Sequence, residues 1–167
     1  MKHILETNRL IIRELNVDDS KNCYELNLNP NVIKYTGDKA FQNVTEAQLF
    51  LKNYNDYKKN GFGRWAVINK TNKEFLGWCG LKYSKTLNET DIGFRFFEKN
   101  WNKGYATESA KACLKYGFEN LKIKTIVGRV MEENLASIKV LKKIGLHFER
   151  EFIFDEHKGL LYKIENK

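Results

Sequence analysis

Phe96-Phe97-Glu98-Lys99-Asn100-Trp101-Asn102-Lys103-Gly104-Tyr105-Ala106-Thr107 decides how this chain is read, because the hydrophobic period changes across it. Before it, in Asp91–Phe96, Ile92, Phe94 and Phe96 share one face of a strand while Gly93 and Arg95 share the other. After it, Ala106, Ala110, Cys113, Leu114, Gly117, Phe118 and Leu121 form a helical stripe, with Glu108, Lys111, Lys115 and Glu119 opposite. The small residues Gly104 and Ala106 let the backbone approach a ligand. The first turn of a helix leaves N–H groups without intrahelical partners, and the helix dipole adds positive partial charge, so a phosphate suits this turn. Lys103 contributes a full charge. The stretch is neither a Walker sequence nor a dinucleotide fingerprint. The same residues also suit an ordinary strand–loop–helix connection in which Gly104 relaxes the turn.

Working outward, Leu10-Ile11-Ile12 reads as the first strand, and Val17-Asp18-Asp19 supplies N-cap chemistry for a helix that Pro30 closes. Ala47, Phe50, Leu51, Tyr54 and Tyr57 recur at helical spacing until Asn60-Gly61, which predicts one helix. Arg64–Ile68 and Phe75–Leu81 read as an antiparallel pair, followed by Asp91–Phe96. Past the decisive helix, Thr125–Val130 is β-branched and short, therefore strand, and Asn134 caps a helix that stops at Gly145. Phe148–Phe154 and Leu160–Ile164 form a last hairpin around Lys158-Gly159. The order β-α-α-β-β-β-α-β-α-β-β predicts a mixed α/β (α+β) domain on a largely antiparallel sheet, not a doubly wound one.

The 167 residues suit a single domain spanning 1–167, with no linker or internal repeat. Subtracting 21 acidic from 29 basic side chains leaves +8, which predicts attraction to something anionic: nucleic acid, a membrane surface or a phosphorylated cofactor. Cys23, Cys79 and Cys113 are far apart and odd in number, so neither a disulfide framework nor a cysteine zinc site is expected. His3, His147 and His157 lack metal-ligand spacing, and no metal is expected. The chain turns polar at Thr7-Asn8-Arg9 and has no run of ~20 apolar residues, so the expectation is a cytoplasmic protein in a reducing compartment, with neither membrane nor DNA as partner.

Trp101-Asn102-Lys103-Gly104-Tyr105-Ala106-Thr107-Glu108 closely resembles the acyl-CoA loop of the GNAT N-acetyltransferase superfamily, Arg/Gln-x-x-Gly-x-Gly/Ala. It departs at the first position, where Trp101 stands as in the RimJ/RimL-like branch. Asn8–Arg13 resembles that branch's opening strand, and Pro30–Tyr35 its Asp-Pro-x-Val-x-x-Tyr element. Asn134-Leu135-Ala136-Ser137 with Leu141–Leu146 resembles its closing motif. The resemblance runs from Thr7 to about Glu151.

It implies a splayed central sheet flanked by helices, acetyl-CoA as cosubstrate, and direct transfer to an amine without an acyl-enzyme. Backbone groups near Phe94 and Phe96 would pair with the pantetheine arm as an added strand. The amides of Asn102, Lys103, Gly104, Tyr105, Ala106 and Thr107 would cradle the pyrophosphate. Asn134 reads both as a helix N-cap and as the family's contact to the pantetheine region. Ser137 stands where the RimL-like branch places a hydroxyl near the thioester sulfur, able to protonate the departing thiolate. Many other members place a tyrosine seven residues after that asparagine; here the residue is Leu141. Asp91 and Glu89 are the candidate bases, directly or through water, and read equally as solvated turn carboxylates. Lys143 or Lys103 would meet the 3′-phosphate. The loop around Lys34–Phe41 and the second helix would shape the acceptor pocket.

An α-amino group of pKa ~8 costs only ~1 kcal/mol to deprotonate at neutral pH, whereas a lysine costs ~4–5 kcal/mol, so the lack of an obvious strong base leans toward α-amines. Protein N-termini, including ribosomal ones, and small-molecule amines both fit. The +8 charge disfavours polyamines and assists contact with a ribosome. The competing reading is a noncatalytic, basic RNA- or ribosome-binding module, although no RNP, KH or zinc-knuckle signature is present.

Overall fold

Alternating apolar residues build eight strands, described together with the rest of residues 2–167 in a computed structural model. They are β1 (His3–Glu6), β2 (Leu10–Glu14), β3 (Arg64–Asn69), β4 (Phe75–Ser84), β5 (Glu89–Phe96), β6 (Thr125–Met131), β7 (His147–Phe154) and β8 (His157–Glu165). The helices are α1 (Ser20–Leu28), α2 (Pro30–Ile33), α3 (Val44–Asn53), α4 (Asp56–Asn60), α5 (Tyr105–Glu119) and α6 (Leu135–Lys143). One open sheet runs β1-β2-β3-β4-β5-β6-β8-β7. Every neighbouring pair is antiparallel except β5–β6, whose parallel alignment requires the crossover that α5 provides. The expected mixed, largely antiparallel, open sheet flanked by helices is the fold.

The two faces of the sheet bury different sets. On one, Leu10, Ile12, Trp65, Val67, Cys79, Leu81, Ile92 and Ile126 pack with Ala110, Cys113 and Leu114 of α5 and Leu141 of α6. On the other, Ala66, Ile68 and Phe75 pack with Cys23 of α1 and Leu51 of α3. All three cysteines are buried. Burial pushes the Cys23 thiol up to about 12, which leaves no thiolate to act as a nucleophile near neutral pH.

Four expectations are corrected. The sheet begins one strand earlier, because His3–Glu6 pairs with β2. Pro30 opens a helix as well as ending one: it is the first residue of α2, where its missing N–H costs nothing, and Asn29 caps that turn. The single helix expected up to Asn60 is two, broken at an extended Tyr54. There the Tyr54 hydroxyl accepts the Arg64 N–H at 2.8 Å, while Tyr57 donates to the Arg64 carbonyl and accepts from Leu15 N–H at 3.0 Å. These bonds to β3 and to the residue just after β2 override the local helical spacing. Finally, the last hairpin turns at Asp155-Glu156, both at positive φ, and not at Lys158-Gly159. Gly159 lies within β8, where a Cβ would stand 2.4 Å from the Phe152 ring.

Gly77 is the tightest point of the sheet: a Cβ there would lie 2.1 Å from the Arg95 carbonyl oxygen, backbone that cannot yield. Gly77→Ala is expected to lower unfolding free energy in urea by about 1–3 kcal/mol or more. Gly61→Ala, where a Cβ meets nothing within 4 Å, should cost only about 1 kcal/mol, the penalty of its left-handed φ. Equal losses would contradict this placement of Gly77.

Candidate active site

Gly104 is the N-cap of α5, in the left-handed conformation (φ 79°, ψ 5°), and no side chain caps the helix. Asn102 is also at positive φ, so the chain doubles back tightly before the helix starts. The first bond of the helix is Glu108 N–H to the Gly104 carbonyl at 3.0 Å. Among the described residues, no protein group accepts from the amides of Asn102–Thr107. A helix start left free in this way, with Asn102, Lys103 and Gly104 exposed, presents unpaired donors and positive partial charge of the kind that suits an anion.

The turn is held from outside by residues that sequence reading had given no part in the site. Arg9, just before β2, donates from Nη1 to the Lys103 carbonyl at 2.9 Å and from Nε to Glu108 at 2.7 Å. Its guanidinium lies 4.6 Å from the Tyr105 ring centroid. Thr7 donates its hydroxyl to the same Glu108 carboxylate at 2.6 Å, and the Arg9 amide adds a third bond. Burial works to raise the pKa of Glu108, but the bonds from Thr7 and Arg9 outweigh it and hold the carboxyl below its ordinary value.

β5 brings the second element. Phe97 N–H donates to the Leu76 carbonyl at 3.1 Å, and bonded pairs alternate along an antiparallel ladder, so Arg95 and Gly93 are bonded across to β4. Phe94 and Phe96 therefore turn their amides and carbonyls the other way, toward β6. Yet β6 pairs with β5 only at Asp91↔Val127. Beyond that bridge the strands part and the β5 edge is unpaired. Trp101 closes the far end of the gap by donating its indole N–H to the Phe96 carbonyl at 3.0 Å. The departure from the family's usual first residue thus ties the loop to the strand.

α6 follows β6 and packs against α5 and β6. Asn134 is its N-cap, accepting the Ser137 N–H at 3.2 Å, and the half-buried Ser137 hydroxyl has no protein partner among the described residues. Asp91 and Glu89 are not solvated turn carboxylates: Asp91 is paired to Arg64 and Glu89 to Arg129. Lys143 lies in the last turn of α6, at the opposite end from Asn134. The structure therefore gathers Phe94, Phe96 and the Asn102–Thr107 turn around one gap and leaves Lys143 apart.

Two cavities flank the loop after α2. One, about 420 Å³, lies over β4 and β5 beneath α1 and α3 and is lined by Asp38, Phe41, Phe50, Arg64, Trp78 and Arg95 among others. The other, about 430 Å³, lies between Lys34–Gly37 and the β7–β8 turn, with Glu132, Glu133, Asp155 and Glu156 in its wall. Sequence reading placed Arg95 on a face of β5 but gave neither Arg64 nor Arg95 a part in a site; the available signal was the pair Gly80 and Gly93, directly opposite in the β4–β5 register. A Cβ on Gly93 would sit 2.6 Å from the Arg64 guanidinium.

Residues 9–147 match the model of the acetyltransferase (GNAT) domain family. The chain belongs to the GNAT acetyltransferases. A relative, the uncharacterised N-acetyltransferase p20 of Bacillus licheniformis, is 30% identical over 165 residues, covering 96% of this chain and 92% of its own. The crystal structure of a GNAT acetyltransferase from Bacillus anthracis superposes with a TM-score of 0.84 at 28% identity, covering 96% of this chain and 97% of that one. Spermidine N-acetyltransferase of Vibrio cholerae, solved with CoA and spermine, shares the fold with a TM-score of 0.79 at 20% identity, covering 95% and 96%. GNAT enzymes take their acetyl group from acetyl-CoA, the cosubstrate of this N-acetyltransferase. The free amides at α5 and the unpaired edge of β5 fit a diphosphate joined to an extended amide chain. Among the described residues, no His, Cys, Asp and Glu side chains are grouped to hold a metal ion.

Because the folded pKa of Glu108 lies below the unfolded one, its contribution to stability is present above the ordinary value of 4.5 and is lost as pH falls through the folded value. Glu108→Gln should therefore be less stable than the parent at pH 7, with the deficit narrowing below about pH 4.5 as the parent's own carboxylate protonates. Urea unfolding over a pH series reads this directly. A deficit independent of pH would contradict the clamp.

Proposed function

We propose that this N-acetyltransferase acts on a primary α-amine, in the manner of the RimJ/RimL-like branch and in a cytosolic setting. One observation carries the reading: the uncapped start of α5 is held by Arg9 and Glu108 beside an unpaired stretch of β5. Amides of Asn102–Thr107 bind the pyrophosphate, Phe94 and Phe96 pair with the pantetheine arm, and the exposed Lys103 side chain meets the 3′-phosphate in preference to the distant Lys143. Asn134 keeps α6 in place and faces the same arm.

Acetyl-CoA supplies an activated thioester. The amine nitrogen forms the new C–N bond as the C–S bond breaks. Ser137 donates its hydroxyl proton to the leaving thiolate and regains one from water. The proton lost by the amine passes to water. Glu89 and Asp91 are proposed to act only through that water, because each carboxylate is engaged by an arginine, Arg129 and Arg64 respectively. Membership in an enzyme family displaces the noncatalytic RNA-binding alternative, and the fold lends no support to ribosome contact.

Gly104→Glu should abolish calorimetric binding of acetyl-CoA, while Gly104→Ala, with the same backbone strain but no charge, should retain measurable binding. Full affinity in Gly104→Glu would contradict the phosphate turn. Ser137→Ala should lower kcat by about tenfold to a hundredfold with little change in acetyl-CoA affinity. Unchanged turnover would remove Ser137 from the mechanism.

A further inference from the structure

We infer that the acceptor amine carries an anionic group, a carboxylate or a phosphate, recognised in the 420 Å³ cavity over β4 and β5. The inference rests on the acetyl-transfer reading above and adds the chemical class of the acceptor. β5 is the common wall. Its Phe94 and Phe96 edge faces the gap, while Gly93 and Arg95 point to the opposite face of the sheet, where Arg95 lines the cavity. The acidic cavity near the β7–β8 turn has no β5 residue in its wall, so the cavity over β5 is the one that shares a strand with the thioester's track.

The floor of this cavity is cationic. The guanidiniums of Arg64 and Arg95 lie 5.4 Å and 5.2 Å from the Trp78 ring centroid. Both are largely buried, with side-chain exposures of 18% and 10%. The side chains of Lys39 and Lys82 add two further cations to the lining, and neither has an ion-pair partner among the described residues. Opposing them are Asp91, committed to Arg64, and Asp38, which bonds Arg95 at 2.6 Å. Asp38 is 56% exposed and stands on the loop, so solvent screens much of its attraction for Arg95. Among the described residues Arg95 otherwise bonds only Asn27, at 2.9 Å, and retains free N–H donors.

Four cations against two carboxylates leave the cavity short of negative charge. Phe41, Phe50 and Trp78 give it an apolar wall. An amine with an anionic group satisfies the surplus by charge-assisted hydrogen bonds, as a planar guanidinium does best with a carboxylate or phosphate. A polycation meets repulsion there. The chemistry that fits the cavity is that of an amino acid or an amino-phosphate compound.

The test is steady-state acetylation, read by thiol release, of the common amino acids, each beside its amide, with phosphoethanolamine as the phosphate-bearing amine and spermidine as the cationic control. Amino acids or phosphoethanolamine should show kcat/KM at least about tenfold above the matched amides or ethanolamine, with spermidine slower than these. Which of the two anions is preferred identifies the source. In the double variant Lys39→Glu, Lys82→Glu, two exposed positions, KM for the anionic amine should rise about tenfold while calorimetric affinity for CoA is unchanged. Equal or faster turnover of amides or spermidine overturns the inference. So does a preference untouched by the double variant, or no turnover of any anionic amine by protein that binds CoA normally. Failure of the parent protein to bind CoA at all would instead sink the acetyl-transfer reading.

Discussion

β5 and β6 start side by side and part after a single bridge, Asp91↔Val127, and the rest of the molecule's chemistry depends on that parting. A parallel pair continued to its end would have satisfied Phe94 and Phe96 with protein partners and left no room for an extended ligand. The turn that follows β5 folds back from the strand end to start α5, and α6 follows β6. One geometric choice thus sets an unpaired strand edge beside an uncapped helix start.

Unpaired strand edges and bare helix ends both cost stability. The molecule offsets this with bonds that touch the site from behind. Arg9 and Thr7 grip Glu108 in the first turns of α5, and Arg9 also holds the Lys103 carbonyl. The Trp101 indole fixes the loop to the end of β5. On the other face, Arg64 ties the start of β3 to Gly80 and Asp91, and Gly93 leaves space for its guanidinium. These supports are charged and multivalent, and none of them uses the amides of Asn102–Thr107.

The Asn102–Thr107 turn, the α5 stripe and the Asn134 cap were legible in the sequence because each is a local pattern, set by residues within a few positions of one another. So was the alternation that puts Gly93 and Arg95 opposite Phe94. What escaped is nonlocal. The Arg9–Glu108 clamp joins residues nearly a hundred positions apart, and neither side chain differs from an ordinary solvated charge until the fold brings them together. Tyr54 and Tyr57 fit one helix by spacing and are pulled into two by Arg64 and Leu15. Lys158-Gly159 has turn chemistry, but the glycine answers to the Phe152 ring across the hairpin. Asp91 and Glu89 read as free carboxylates only while Arg64 and Arg129 are out of view.

The most direct measurement is backbone amide mapping by NMR as isotopically labelled protein is titrated with CoA. Ligand seated as described shifts the amides of Asn102–Thr107 first and most, together with those of Phe94 and Phe96 on the parted edge. Shifts confined to other surfaces, with these amides unmoved at saturation, would contradict the account at its centre.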